Sequence, residues 1–230
     1  MNHALTSKFA IPAITFAILA VLPSHARGAA ILAPLSASTD MGQLFLANRA
    51  INKSGLSRTY TSQITDFDTF VASNPTAVHG NGTNIWGSTL GVRSGNFDLN
   101  LGGNFLVSGM VFWNLLGDPS SVQQFNLFAG NDSSFGNAVN LGTFTASNTL
   151  GTGSNTAAQV FTFPETSASF IRIQILNTWS GDSAHATFNE VAFKATSTVP
   201  EPTVSWLLGL VLLGATLGSR RVFSSSDSRR

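Results

Sequence analysis

No cysteine occurs anywhere in the chain, which excludes disulfide bracing, thiolate metal sites and cysteine nucleophiles together. Charge is scarce as well, at 10% of residues, and it is unevenly divided. Between Ile31 and Ala195 six basic residues (Arg49, Lys53, Arg58, Arg93, Arg172 and Lys194) stand against nine acidic ones, so this segment carries about −3, and the +1 of the whole chain comes from its two ends. A mildly acidic segment without a basic patch argues against a nucleic-acid partner. No window shows a long apolar pattern at helical spacing, which excludes a bundle of amphipathic helices. The patterns Gly-x-Ser-x-Gly, His-Glu-x-x-His and a glycine-rich phosphate loop before a helix are also absent, and with them the common hydrolase, metalloprotease and nucleotide-binding chemistries. Asp66 and Asp68 fall on one side of an expected strand, but paired-carboxylate hydrolases place their two acids on separate elements flanking a cleft. The expectation is that this protein is not an enzyme, that the pair is solvated, and that His79 and His185, without visible metal partners, are most simply loop residues.

What is present begins with the two ends. Lys8 precedes an apolar stretch from Phe9 to Leu22, followed by the small-x-small triplet Ser24-His25-Ala26, with Gly28-Ala29-Ala30 as a competing site. This order reads as a signal peptide over residues 1–26, cut by signal peptidase so that the mature chain begins near Arg27 or Ile31. Near the other end come Pro200-Glu201-Pro202, an uncharged apolar run from Val204 to Gly218, and the basic pair Arg220-Arg221. The pair sets the C-terminus on the cytoplasmic side. Fifteen helical residues reach only about 22 Å, against a hydrocarbon core of about 30 Å, so transient anchoring followed by cleavage suits the length better than a permanent span. Triplet, helix and arginines in this order resemble the PEP-CTERM sorting signal. That resemblance implies recognition by an exosortase, passage through the inner membrane of a Gram-negative bacterium, and delivery to the outer surface or extracellular matrix. The signal occupies residues 197–221; the polar tail 222–230 is a departure from the usual pattern. An ordinary tail anchor is the other reading of the segment.

The 165 residues from Ile31 to Ala195 are enough for one domain with a sizeable core, and its periodicity is two. Ile171, Ile173 and Ile175 alternate with Phe170, Arg172 and Gln174; Phe125 and Leu127 alternate with Gln124 and Asn126; Phe161 and Phe163 flank Thr162. Further strands are expected over 97–101, 105–113, 139–145 and 188–194, with turns at Gly102-Gly103, Gly117-Asp118-Pro119, Gly130-Asn131-Asp132 and Ser180-Gly181-Asp182. Gly151 to Asn155 reads as a flexible loop. The fold class that follows is all-β, an antiparallel jelly-roll β-sandwich over residues 31–196.

The order of these elements carries a second resemblance. Asp98-Leu99, Trp113-Asn114, Gly130-Asn131-Asp132, Phe170-Ile171-Arg172-Ile173 and Glu190-Val191-Ala192-Phe193, preceded by Ala50-Ile51-Asn52-Lys53-Ser54-Gly55-Leu56 and Trp86, resemble the discoidin, or galactose-binding-like, domain. The resemblance implies two sites. One is a Ca²⁺ site between the early turn and the closing strand, with Asn48, Asn52 and Glu190 as ligands; Lys53 places a cation there, and Asn52 stands where the family has an acid. The structural reading of Glu190 is a pairing with Lys53 or an exposed strand edge. The other is a glycan site in loops at one end, where aromatics stack on sugar rings and polar groups reach the hydroxyls. Trp179 is its aromatic candidate, with Asp182, His185, Arg58 and Trp86 as neighbours. For Trp86 and Trp113 the competing reading is a place in the core, for Trp179 both readings stand level, and Arg172 is implied to be structural. The function expected is non-catalytic binding of exopolysaccharide or cell-surface glycan. A structural matrix protein without a defined ligand is the alternative, and a secreted carbohydrate-active enzyme the third reading.

Overall fold

The computed structural model describes residues 28–79, 82–179 and 185–197. The signal peptide, the sorting signal beyond Ser197, the tail and Asp182 lie outside these residues. In chain order the elements are β1 (Ala30–Leu32), β2 (Ser36–Thr39), a 3-10 turn (Ala47–Ile51), α1 (Phe67–Ala72), β3 (Thr76–Val78), β4 (Trp86–Gly87), β5 (Gly95–Trp113), β6 (Val122–Gly130), β7 (Val139–Thr145), β8 (Gly151–Thr152), β9 (Asn155–Ala157), β10 (Gln159–Thr178), β11 (Thr187–Phe188) and β12 (Glu190–Ser197). The chain is mostly β-sheet, and every named strand pair is antiparallel.

Two long strands organise the fold. β5 and β10 pair along nearly their whole lengths, and each crosses from one half of the sheet to the other. Residues 95–101 of β5 run between β2 and β10, and β10 continues to β6 and β7; residues 105–113 of β5 run between β12 and β10, with β1 outside β12. The change of half is made where Phe170 pairs with Asn100 and Ala168 with Phe105, so that four residues of β5 stand against one of β10. Such a bulge bends the strand and increases its twist. Gly102 takes φ +81 there, and a side chain at that position would meet Leu35 at 3.3 Å.

Alternation then separates two cores. The side chains of Phe97, Leu99, Val107, Phe112, Phe125, Ile171, Ile173, Ile175 and Phe193 fill the space between the two halves of the sheet. Residues of opposite phase, Val111, Trp113 and Ala192, point the other way and pack with Ile31, Tyr60, Phe67 and Phe70 beneath α1 and its flanking loops. Trp113 Nε1 donates to Pro75 O at 3.0 Å, so the buried indole keeps a partner.

Three sequence expectations are corrected here. The Gly102-Gly103 pair is a bend within one continuous strand, not a turn between two, because the partner β10 runs alongside it. Gly151 to Asn155 belongs to a hairpin of β8 and β9 that is completed by β3. Asp66 and Asp68 are not on a strand: Asp66 caps α1, accepting the Thr69 N–H at 2.8 Å, which holds its pKa below the usual carboxylate range, while Asp68 pairs with Lys194 at 2.7 Å.

Candidate functional site

At the end of the sandwich where β5 stops and β12 starts, loops from four parts of the chain enclose a cleft of about 330 Å³. Phe45 forms one wall. Its backbone is bridged to Gly87, and the ring needs bare backbone beside it: a Cβ at Gly82 would lie 2.4 Å from the ring and one at Gly87 2.9 Å. Gly82 also takes φ +75, a conformation that L side chains rarely adopt. The same Gly87 lies against the His185 ring, where its Cβ would approach Cδ2 to 3.3 Å.

The polar side of the cleft is built by the Gly117-Asp118-Pro119 turn. Asp118 Oδ1 accepts both the Ser120 N–H at 2.7 Å and the Ser120 hydroxyl at 2.5 Å, and Ser121 Oγ donates to the Asp118 carbonyl at 2.6 Å. With one oxygen so engaged, Asp118 Oδ2 faces His79 Nε2 at 3.9 Å, an ion-pair distance but too long for a hydrogen bond. His79 is fixed in turn by its backbone N–H on Ser154 O. His185 lines the cleft opposite and is half-buried; loss of solvent pushes its pKa down, against the Asp118 charge, which pulls it up. The lower value favours a neutral imidazole, which both donates and accepts a hydrogen bond. Ser120 is not activated as a nucleophile, since its hydroxyl is spent on Asp118 and not on an imidazole. The cleft therefore presents an apolar ring beside a carboxylate and imidazoles, an arrangement suited to a small polyhydroxylated ligand.

His185 is the predicted site residue that the structure puts in this cleft. Trp86 is not a ligand-facing residue: its ring is completely buried, 4.7 Å from Phe97 and 5.2 Å from Phe188. Its position at the start of a two-residue strand paired with Thr187–Phe188 aims it into the core. Trp179 is 38% exposed at the end of β10 but does not line the cleft; its Nε1 donates to Ala146 O at 2.9 Å and its backbone N–H to Ser121 O. Arg58 is exposed and lies outside the cleft, without an ion pair among the described residues. Phe45, His79 and Asp118 are not singled out as ligand-binding by sequence. Asp118 shows only a turn signal, and the glycines that make room for Phe45 lie 37 and 42 residues further along the chain.

Each residue implied for Ca²⁺ has one side-chain oxygen engaged by a backbone N–H. Asn48 Oδ1 accepts the Ala37 N–H at 2.9 Å, Asn52 Oδ1 the Ser54 N–H at 2.7 Å, and Glu190 Oε2 the Lys53 N–H at 3.0 Å. Of this set only Glu190 Oε1 is buried without a hydrogen-bond partner, whereas Ca²⁺ takes six to eight oxygens. Glu190 is fully buried, and burial pushes its pKa well up, opposed by the Lys53 N–H and ammonium. Its visible work is to clamp the turn in which Lys53 takes φ +64.

No known family's sequence pattern matches the chain, and no curated protein matches it. Solved structures similar to it include a truncated AlyQ with CBM32 and alginate lyase domains, at 16% identity and TM-score 0.48, covering 74% of this chain and 34% of that one. A second is the CBM32 of AlyQ in complex with 4,5-unsaturated mannuronic acid, at 14% identity and TM-score 0.45, covering 71% and 96%. A third is the family 32 CBM of Clostridium perfringens NanJ in complex with galactose, at 16% identity and TM-score 0.46, covering 72% and 97%.

Proposed function

We propose that this protein is an exported, non-catalytic glycan-binding protein that holds a sugar in the end cleft. The observation that carries the reading is the convergence of Phe45, His79, Asp118 and His185, drawn from separate loops, on one concave site. An aromatic ring offers a surface for the C–H face of a pyranose, and the carboxylate and imidazoles offer hydrogen bonds to its hydroxyls. Among the described residues lining the cleft Asp118 is the one carboxylate, whereas glycoside hydrolysis uses a pair, and this supports binding over hydrolysis. The signal peptide and the PEP-CTERM-like segment support export, handling by an exosortase and a place at the outer surface or in the exopolysaccharide matrix.

Isothermal titration of the purified full-length protein with galactose, N-acetylglucosamine, mannuronate oligomers and soluble exopolysaccharide tests the reading. Phe45→Ala is expected to weaken the sugar that binds by roughly tenfold or more, as loss of about 1.5–3 kcal/mol of aromatic burial requires. Heat of binding that survives Phe45→Ala and His185→Ala moves the site elsewhere. No heat with any glycan favours a matrix protein without a defined ligand, and release of reducing ends favours a hydrolase.

A further inference from the structure

A separate groove lies on the outer face of the first half of the sheet, near the bend in β5 and at the opposite end of the strands from the cleft. Its volume is about 180 Å³, and Ser36, Ser38, Asp98, Asn100, Phe135 and Phe170 line it. The strand register sets its floor: Ser36 pairs with Asn100 and Ser38 with Asp98, so two hydroxyls, an amide and a carboxylate share one face. Arg172, on the next strand, grips Asp98 through two hydrogen bonds of 2.7 and 2.8 Å, neutralising it in place. The guanidinium in turn lies 4.2 Å from the Phe135 ring centroid, and Phe135 meets Phe170 edge-on at 6.5 Å.

Two observations set this groove apart from the rest of the sheet face. The first concerns hydrogen bonds. Elsewhere on the face Asn126 bonds Gln174 and Thr143, and Asn96 Nδ2 donates to Asp40. In the groove the Ser36 and Ser38 hydroxyls and the Asn100 Nδ2 have no partner among the described residues, although Asn100 Oδ1 accepts from Gly102 N. The second is backbone strain. Phe135 takes φ +57, an outlier for a bulky side chain and one that persists only where the surroundings fix it. The preceding turn does so, with Asp132 accepting from the Ser134 backbone and hydroxyl. The strained residue is the one whose ring closes the groove.

We propose that this groove is a second glycan subsite that takes one neutral pyranose unit. An apolar aromatic corner meets unengaged hydroxyl and amide groups there, and Asp98 is already neutralised by Arg172, while Asp40 and Asp132 nearby disfavour an anionic sugar. The proposal goes beyond the end cleft and stands or falls without it. The test is a ¹H–¹⁵N titration of the full-length protein with galactose, glucose, mannose and N-acetylglucosamine, and with mannuronate as the anionic arm. At least one neutral sugar is expected to shift Ser36, Ser38, Phe135 and the Asn100 side-chain amide along one isotherm. Phe135→Gly is expected to abolish those shifts and leave shifts around His79 and His185 as they were. Because glycine relieves the backbone strain, this variant keeps the fold, and unmoved Ile171 and Ile173 signals check it; Ser38→Ala, compatible with the strand, weakens the same isotherm. Groove signals unmoved by all four neutral sugars overturn the proposal, whatever happens at the cleft. So do shifts that survive Phe135→Gly, or that mannuronate produces as strongly as the neutral sugars.

Discussion

Glu190 is a carboxyl group in a place water does not reach, held by one hydrogen bond from the Lys53 backbone. Replacing it by alanine leaves that N–H without its acceptor, and a loss of about 1–3 kcal/mol is expected in denaturant unfolding. Glu190→Gln keeps an acceptor and removes the ionisable group, so it is expected to match or exceed the parent. If the turn needs no cation, EDTA leaves the melting temperature of the parent unchanged; a drop reversed by added Ca²⁺ would support the metal reading of Glu190. His185 gives a prediction of pH dependence. Its folded pKa lies below the ordinary value of 6.5, so the folded state takes up a proton less readily than the unfolded chain. Stability present above pH 6.5 is lost as pH falls from there toward the depressed folded value. Melting temperatures taken between about pH 7.5 and 5 should fall less steeply for His185→Gln than for the parent.

The same residue scale shows where sequence reading stops. Trp86, Trp113 and Trp179 are one residue type with three fates: a core ring, a buried ring with its N–H on Pro75, and a part-exposed ring with its N–H on Ala146. Which fate applies depends on contacts formed across the chain, and neither composition nor local period encodes those. His79 shows the same limit in reverse, since its acidic neighbour Asp118 comes from a turn 39 residues away.

At the scale of elements, the period of two was legible because burial alternates over stretches of the central strands, as Ile171, Ile173 and Ile175 show against Arg172 and Gln174. Their continuity was not legible. A Gly-Gly pair reads locally as a turn, and only the partner strand running beside it makes the pair a bend. Two substitutions separate these claims. Ile173→Ala empties a fully buried position shared by both halves and is expected to cost about 2–5 kcal/mol. Gly102→Ala asks an L residue to hold φ +81 beside Leu35 and is expected to cost about 1–2 kcal/mol. For a domain of this size each 1 kcal/mol appears as roughly 2–4 °C in a thermal melt. If Gly102→Ala melts with the parent, the bend does not depend on glycine.

On the scale of the whole molecule, β12 runs from the cleft toward the proposed sorting segment. It begins at Glu190, beside the loops that build the cleft, and ends at Ser197, paired with Phe105 at the bend. Eight residues of strand at about 3.3 Å each separate the two ends by roughly 25 Å. If the proposed tether follows Ser197, it would start at the end of β12 away from the cleft and on the side of the groove. Two proposed sites at opposite ends of one domain would suit a protein that joins glycan chains, and the proposed exosortase cleavage would release it from the membrane. We therefore expect intact mass of the native protein to show a surface form ending near Pro202, and a membrane-bound precursor to accumulate in cells lacking their exosortase. Full-length protein in the inner membrane of both strains would make Val204 to Gly218 a plain anchor. The cleft would then remain free to bind, but the groove would be confined to glycans close to the membrane surface.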